Sequence, residues 1–388
     1  MDYKKYLTDE ILAHYLALQT DLEDGGILNC FDEECRLLRG DKDVWFQGRA
    51  MWTYSLAYRL IEPRQEYLDI CEHVFEFLKK LPRVDGRVPY MVSKNGAEVL
   101  RTQGITFYGD CFCAMGCAQY YRLCKKAEVK EMAEKLFCNC YNGYFSQQNS
   151  AQTTKAPIPS RVFGLNMAML AGAQFVRNAG ICVDKANELA DACIKTMMDG
   201  RFVDDLRKMV IEFVPLEGYS ISNGDNHSCP GHVYEAAWFV LCEGEYRDDD
   251  GIRAFGRKLL DYAMPEGFEE HTTLIPTYLY LDRPYDFTRT DTIISWPQQE
   301  AIIAYRLAYS MFGDEKYKRL SDIIERTAFA YFADPDQKRW YIDIGRSDPP
   351  VSERSTRGGH IEGPFHLERM LLGLSVLEET GNILNYIS

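Results

Sequence analysis

Amphipathic helical patterns alternate along this chain with short strand-like segments, and the alternation repeats at a long, regular interval. Apolar residues recur with helical spacing in twelve segments, at about residues 5–19, 49–60, 67–78, 112–123, 129–138, 168–178, 185–198, 233–242, 251–263, 299–312, 315–331 and 367–378. Strand-like segments lie between helix pairs, at residues 26–31, 87–92, 209–214, 274–279 and 339–344. Their starts recur about every 60–70 residues, with one gap of about double length near residue 150, which marks a repeated supersecondary unit. The unit is predicted to be two helices and a short hairpin.

Six such helix pairs account for nearly all of the 388 residues. We expect alternating inner and outer helices to close into an all-α (α/α)6 barrel, a toroid with short β-hairpins between helix pairs. No Ser-, Gly- or Pro-rich linker divides the sequence, so residues 1–388 are predicted to form a single domain. An open α-solenoid is the alternative, but solenoids rarely place isolated Pro/Gly-His turns in two distant repeats.

Charge and composition exclude several classes of partner. A formal net charge of −14 argues against nucleic acid, because phosphate binding requires clustered Lys and Arg. No stretch approaches about 18 uninterrupted apolar residues, so no membrane span is expected. The start, Met1–Tyr6, leads into an amphipathic helix rather than a signal peptide, and we therefore expect a cytoplasmic protein. The thirteen cysteines fit neither a disulfide framework nor a CxxC zinc site, and we interpret them as buried thiols in a reducing compartment.

Two of the seven histidines stand in sharply punctuated contexts. His232 follows Cys229-Pro230-Gly231 and opens an apolar helical run, and His366 follows Gly363-Pro364-Phe365 before another. Imidazole titrates near neutral pH, so two histidines facing one substrate would be able to exchange protons with a weakly acidic C–H group. The alternative is that each histidine merely begins a helix.

Four further side chains in similar positions are candidates for a site. Glu235 lies three residues after His232 and is expected on the same helix face, where a carboxylate fixes the tautomer of an imidazole and raises its pKa. Glu300 and Trp296 open another helix, and a first-turn carboxylate is also explained by the helix dipole alone. Arg49 is flanked by apolar residues, so its guanidinium requires a partner: either a carboxylate such as Glu300 or an anionic intermediate.

Several segments together resemble motifs of the N-acylglucosamine 2-epimerase family. The order of these motifs and the intervals between them match along almost the full chain. The segments are Trp45-Phe46-Gln47-Gly48-Arg49-Ala50-Met51-Trp52, Asp110-Cys111-Phe112-Cys113-Ala114-Met115, Pro230-Gly231-His232 with Glu235 and Trp238, Trp296 with Glu300-Ala301, and Phe365-His366 with Arg369. That family also includes cellobiose 2-epimerases and aldose–ketose isomerases acting on mannose or sulfoquinovose. Its (α/α)6 barrel agrees with the repeat count.

The resemblance implies a role for each matching residue. It implies that His232 and His366 are the catalytic pair on opposite faces of the C2 atom of a sugar, and that Arg49 stabilises an enediolate oxygen. It further implies that Glu235 and Glu300 orient the histidines and bind hydroxyl groups. Trp238 and Trp296 are implied as aromatic walls of the sugar pocket, and Arg161 and Asn166 as further pocket residues.

The implied activity is 2-epimerisation of N-acetylglucosamine and N-acetylmannosamine, or of a related aldose, through a cis-enediolate. No cofactor or metal is required by this chemistry, and the sequence has neither a P-loop nor a Rossmann fingerprint. Some animal relatives respond to ATP, but nothing local here indicates a nucleotide site. An apolar outer-helix face is compatible with a homodimer. Departures from the family pattern at Ser295 and at residues 360–364 leave the identity of the sugar open.

Three other functions stay open at this point. An aldose–ketose isomerase or a cellobiose 2-epimerase would use the same enediolate and the same motifs. A glycoside hydrolase or unsaturated glycuronyl hydrolase on an α/α toroid would recruit Glu235 and Glu300 across a glycosidic bond, but the two histidines would then have no role. A carbohydrate-binding or regulatory scaffold would bind sugar, or nothing, without any exchange of protons.

Overall fold

Among the residues that the structure describes, twelve helices, which we number α1 to α12, make up most of the protein. The computed structural model describes residues 1–32, 34–103, 107–147, 156–199, 201–287, 292–334, 339–345 and 364–384. Helix α1 consists of an α-helical turn, a π-helical segment and a second α-helical segment (Tyr3–Lys5, Tyr6–Leu12 and Ala13–Gln19). The others are α2 Val44–Leu60, α3 Gln65–Lys80, α4 Tyr108–Cys124, α5 Ala127–Gln147, α6 Phe163–Asn178, α7 Val183–Asp199, α8 Pro230–Arg247, α9 Asp250–Tyr262, α10 Ser295–Phe312, α11 Glu315–Phe332 and α12 His366–Thr380.

The even-numbered helices form an inner ring and the odd-numbered helices surround it. Each inner helix packs against the next one along the chain, and α12 returns to contact α2, so the ring is closed. The inner helices are buried on almost every side, whereas an outer helix such as α3 buries one apolar face and carries charged residues on the other. Helix α1 packs on α12 and completes the sixth pair. The predicted (α/α)6 toroid is therefore confirmed.

A close contact between the inner helices α2 and α4 positions Arg49, the first of the candidate site residues along the chain. A Cβ atom on Gly48 of α2 would lie 2.4 Å from the backbone of Phe112 in α4, and one on Gly116 would lie 2.3 Å from the Gly48 carbonyl oxygen. Only glycine permits this approach of two backbones. The contact places Arg49, the next residue of α2, directly against α4.

Fifteen short strands, β1 to β15, lie among the described residues at the helix ends. Their bounds are Cys30–Phe31, Leu37–Arg39, Lys42–Asp43, Met91–Val92, Val99–Arg101, Ser160–Val162, Val203–Asp204, Met209–Val210, Phe213–Pro215, His227–Ser228, Leu279–Tyr280, Thr292–Ile294, Ala333–Asp334, Arg339–Trp340 and Asp343–Gly345. Local hairpins form as predicted in β1–β2, β4–β5, β7–β8 and β13–β14. The pairs β3–β4, β6–β9 and β12–β15 differ from the prediction, because each joins the strand before an inner helix to a strand beyond the following outer helix. These longer pairings tie neighbouring repeats together at one end of the ring.

The predicted helices are correct in number and order, but most inner helices begin earlier than their apolar periodicity indicates. Helix α2 begins at Val44 rather than near Arg49, and α10 begins at Ser295 rather than near Gln299. The first turns of these two helices hold aromatic and polar residues, such as Trp45 with Gln47 and Trp296 with Gln298, which interrupt the apolar pattern. Within the described part of the chain, no helix has both the length and the apolar character needed to cross a bilayer.

Candidate active site

The candidate site lies where the inner helices begin. Each outer helix returns the chain antiparallel to its inner partner, so all six inner helices run in one direction and start at the same end of the ring. His232 is the third residue of α8, Trp296 the second of α10 and His366 the first of α12. Helix N-termini carry partial positive charge, so this end of the ring favours a bound or developing anion.

His366 is buried and is held by a carboxylate. Its Nδ1 atom lies 2.8 Å from Oε1 of Glu300 and 3.2 Å from Nη2 of Arg369. Both Nδ1–H and Arg369 are donors, so the shorter contact to the carboxylate places the imidazole proton on Nδ1 and leaves Nε2 with its lone pair. Burial, reinforced by the charges of Arg49 and Arg369, holds the pKa of His366 well below its ordinary value.

His232 is about a quarter exposed and has a different carboxylate partner from the one predicted. Its Nδ1 atom lies 3.1 Å from Oε2 of Glu212, not beside Glu235. Burial alone lowers the pKa of His232, but its interactions with Cys229 and with the carboxylate of Glu212 outweigh burial and raise it well above its ordinary value. The two histidines thus have pKa values displaced in opposite directions, which is the pattern of an acid and a base at one site.

Glu235 instead takes part in a buried ionic cluster around Arg369. The guanidinium of Arg369 pairs with Glu235 through Nη2 and with Oε1 of Glu300 through Nη2 at 2.6 Å and Nε at 3.2 Å. Trp238 donates its indole N–H to Oε2 of Glu300 at 3.0 Å. This tryptophan is fully buried, and its hydrogen bond holds Glu300 in place. Its predicted role as a wall of the sugar pocket stays a prediction. Glu300 does contact a histidine as predicted.

Arg49 lies inside a cage of aromatic rings. Its guanidinium carbon is 4.4, 4.2 and 4.3 Å from the ring centroids of Trp45, Phe112 and Phe365 respectively. Among the described residues, its buried Nε and Nη1 atoms have no hydrogen-bond partner. Burial lowers the pKa of Arg49 to about 9, against the opposing charge of Glu235, so the guanidinium remains charged at neutral pH. A buried cation with unused N–H groups is suited to an anionic group of a ligand.

Trp296 brings the two histidines together. Its ring centroid lies 5.6 Å from that of His232 and 5.2 Å from that of His366, with an interplanar angle of 33° in each case. A Cβ atom on Gly231 would lie 2.3 Å from Cη2 of this indole, so the glycine before His232 is what allows the tryptophan to sit here. Trp296 thus contacts both histidines, and its predicted role as a wall of the sugar pocket stays a prediction.

The two remaining predicted pocket residues do not contact the histidines in the described structure. Asn166 is buried, accepts a hydrogen bond from the Tyr144 hydroxyl at 2.7 Å and donates to the Val162 carbonyl at 2.9 Å. Its amide thus makes two structural hydrogen bonds, and its predicted pocket role stays a prediction. Arg161 is exposed on β6, in register with Val214 of β9. The predicted departure at residues 360–363 lies outside the described residues.

Two important residues were not assigned a role from the sequence. Glu212 stands alone among apolar residues in the segment from Met209 to Val214. A carboxylate in such a strand requires a partner, and this isolated charge was the sequence signal that pointed to Glu212. Its backbone and side chain meet the start of α6, where the Gly164 N–H donates to Oε1 at 3.2 Å. Arg369 was visible only as part of a motif, and its role as the counter-ion of two carboxylates depends on the closure of the ring.

In the described part of the chain, three groups of side chains have the ligand types and proximity of a cation site. The group of Glu235, Glu300 and His366 already surrounds the Arg369 guanidinium. A second group, Asp21, Glu23 and Asp24, pairs with Lys42 and Lys94. The third consists of Glu212, Cys229 and His232.

The comparisons with known proteins show a carbohydrate epimerase of the isomerase class, and the toroid agrees with them. The family model described as N-acylglucosamine 2-epimerase (GlcNAc 2-epimerase) matches residues 25–360, and this chain belongs to that family. The N-acylglucosamine 2-epimerase of Bos taurus is 26% identical over 387 residues, covering 94% of this chain and 87% of the relative. The cellobiose 2-epimerase of Ruminococcus albus is 23% identical, covering 96% and 97%. The solved structure of cellobiose 2-epimerase from Spirochaeta thermophila superposes with a TM-score of 0.80 at 16% identity, covering 99% of this chain and 96% of that one.

Proposed function

We propose that this protein inverts the C2 configuration of an aldose by removing and returning the C2 proton, with N-acetylglucosamine and N-acetylmannosamine as the first substrates to test. The observation that carries the proposal is the arrangement at Trp296: two imidazoles contact one indole, and a buried arginine with unused N–H groups lies against Phe365, the neighbour of His366. The similarity to N-acylglucosamine 2-epimerases over 94% of the chain supports this choice of sugar.

His366 is the base in this proposal. With Nδ1–H directed at Glu300, the free Nε2 lone pair is the atom that accepts the C2 proton of the open-chain sugar. The lowered pKa keeps the imidazole neutral and therefore able to accept a proton. Glu300 fixes the ring orientation and stabilises the imidazolium that forms, and its own position is fixed by Arg369 and Trp238.

His232 is the acid for the opposite face of the carbon. Its Nδ1 is turned to Glu212, so Nε2 is the atom that faces away from the carboxylate and delivers a proton. The raised pKa keeps this ring protonated before the reaction. After one turnover the proton states of the two histidines are exchanged, and the reverse reaction then runs from the other epimer.

Arg49 stabilises the negative charge that forms on O1 of the enediolate. Its Nε and Nη1 hydrogens are the unused donors, and the surrounding rings exclude water that would weaken the interaction. The start of the inner helices adds partial positive charge in the same region. Reprotonation at C1 in place of C2 would yield a ketose, so an aldose–ketose isomerase is an outcome that the test must separate.

The same contacts argue against a glycoside hydrolase. Glu235 and Glu300 share one guanidinium, and with His366 their ligand atoms lie within 4.8 Å of one another. Hydrolases hold their two carboxylates on either side of a glycosidic bond, whereas these two are paired with one buried guanidinium. Proton removal and return is balanced without any redox group, so we propose that no cofactor is needed.

The thirteen cysteines, all within the described residues, are free thiols, which supports the inference of a cytoplasmic location.

Incubation of the protein in deuterated water with single sugars tests this function. We expect deuterium at C2 and formation of the C2 epimer, observed by NMR, with N-acetylmannosamine or N-acetylglucosamine; mannose, glucose, cellobiose and sulfoquinovose complete the panel. A ketose product would assign the isomerase alternative. No exchange with any of these aldoses, or release of a reducing sugar from a glycoside without exchange at C2, would contradict the proposal.

Replacing Arg49 by methionine is expected to separate activity from stability. Loss of the enediolate partner should lower kcat by roughly 10²–10³-fold with little change in KM. The melting temperature should stay the same or rise, because the Nε and Nη1 atoms of Arg49 form no hydrogen bond among the described residues and burial of the charge is costly. Arg177→Met is the matched control: this buried arginine pairs with Glu243 at 2.7 Å, so its loss should lower stability more than kcat. Equal effects of the two substitutions on kcat would contradict the role of Arg49.

A further inference from the structure

The thiol of Cys229 neither gives nor takes a proton in the reaction described above, yet it lies close to two of the site's side chains. One ligand atom each from Glu212, Cys229 and His232 lie within 4.8 Å of one another. Cys229 is the residue before α8 and forms no side-chain hydrogen bond to the helix backbone. Side chains of a helix lean toward its N-terminus, so the imidazole of His232 extends back toward this sulfur.

We propose that Glu212, Cys229 and His232 form a zinc-binding site, and that Zn²⁺ bound there inhibits the enzyme by occupying His232. Thiolate, imidazole and carboxylate are the ligand types that Zn²⁺ takes, and three protein ligands with one open position form a tetrahedral site accessible to water. The inhibition rests on the proposed function, whereas metal binding does not.

The distances between the ligand atoms of these three side chains are close to those around a bound zinc ion. Zinc bonds of about 2.0–2.3 Å in a tetrahedron place ligand atoms about 3.3–3.6 Å apart. Nδ1 of His232 and Oε2 of Glu212 are already 3.1 Å apart, and the sulfur of Cys229 belongs to the same group of ligand atoms within 4.8 Å of one another. The Gly164 N–H holds the other oxygen of Glu212, which orients the carboxylate toward the histidine as an outer-shell partner of a metal ligand does.

The charges around this group distinguish it from the other two. Arg369 lies between the ligands of the Glu235 group, and Lys42 and Lys94 occupy the Asp21 group, so a further cation is repelled from both. Within the described residues, the ion pair of Glu212 is made with His232 and with neither lysine nor arginine. His232 is also about a quarter exposed, so an ion has a path from solvent to this group.

Zinc binding would act on the mechanism directly. Coordination at Nδ1 replaces the proton that this nitrogen carries in the imidazolium, so the remaining Nε2–H becomes a much weaker acid. Coordination also takes Glu212 away from its hydrogen bond with His232. The thiol and imidazolium protons pass to solvent when the ion binds. Removal of the ion by a chelator restores both groups, so the inhibition is reversible.

The test combines a binding and an activity measurement on metal-free protein. Titration with ZnCl₂ against a chromogenic chelator is expected to give one tight site, and Co²⁺ in its place should show thiolate-to-cobalt charge-transfer absorption. Cys229→Ser should weaken zinc binding roughly 100-fold and abolish that absorption. Cys182→Ser is the matched control, since Cys182 is a half-buried thiol near Cys138 and should leave both signals unchanged.

Inhibition is expressed relative to the metal-free rate of each variant. We expect Zn²⁺ to stop C2 exchange in the wild type and in Cys182→Ser, and to have at least about tenfold less effect in Cys229→Ser. Absence of stoichiometric binding, or binding lost in Cys182→Ser rather than Cys229→Ser, would refute the zinc site. Binding that depends on Cys229 but leaves C2 exchange intact would instead remove His232 from the mechanism.

Discussion

Replacing either histidine by asparagine is expected to abolish interconversion of the two epimers. General acid–base groups contribute up to about 10⁴-fold to rate, so His366→Asn and His232→Asn should each lower kcat by at least roughly 10³-fold. The reason is that each face of the C2 carbon is served by one imidazole, His366 held by Glu300 and His232 held by Glu212. His271→Asn, an exposed histidine, is the matched control and should retain the wild-type rate.

Deuterium exchange in the two variants tests the assignment more sharply than the rate of epimerisation. Each variant retains one imidazole, so any residual exchange should affect one epimer only, and the other variant should exchange the opposite epimer. Exchange of both epimers by one variant would show that a single base serves both faces. Circular dichroism spectra that match the wild type are required before either result is interpreted.

Loss of Arg369 is expected to have the largest effect on stability. Arg369→Met leaves the buried carboxylates of Glu235 and Glu300 without their counter-ion, and breaking such a pair costs about 3–5 kcal/mol. The free energy of unfolding from denaturant titration should fall by that amount. The comparison is Lys208→Met, which removes an exposed pair with Glu266 and should change the free energy by less than about 1 kcal/mol.

A lysine in place of Arg369 is expected to destabilise the protein less than methionine does. Arg369→Lys keeps the charge but not the planar fork that reaches two carboxylates, so we expect an intermediate stability. A loss of less than about 1 kcal/mol in Arg369→Met would mean that the carboxylates relieve their burial by taking up protons. In that case Glu300 would no longer be a charged partner for His366.

The periodicity of the sequence predicted all twelve helices in their observed order, because each outer helix needs one apolar face and each inner helix needs several. The starts of most inner helices were placed too late. In α2 and α10 the first turn holds residues selected for the site, such as Trp45 and Trp296, and these do not follow a core-facing pattern. The apolar periodicity therefore misplaced the helix starts at the positions that hold candidate site residues.

The sequence by itself determined the helices, their pairing and the position of both histidines at helix starts, since these depend on neighbours a few residues away. Only the tertiary structure decided which carboxylate each histidine uses. Glu212 is 20 residues from His232, and Glu300 is 66 residues from His366, so their hydrogen bonds exist only because strand pairing and ring closure bring distant segments together. The predicted Glu235–His232 pair was the local choice, and Arg369, 134 residues along the chain, binds Glu235 instead because a buried guanidinium satisfies a buried carboxylate more completely than an imidazole does.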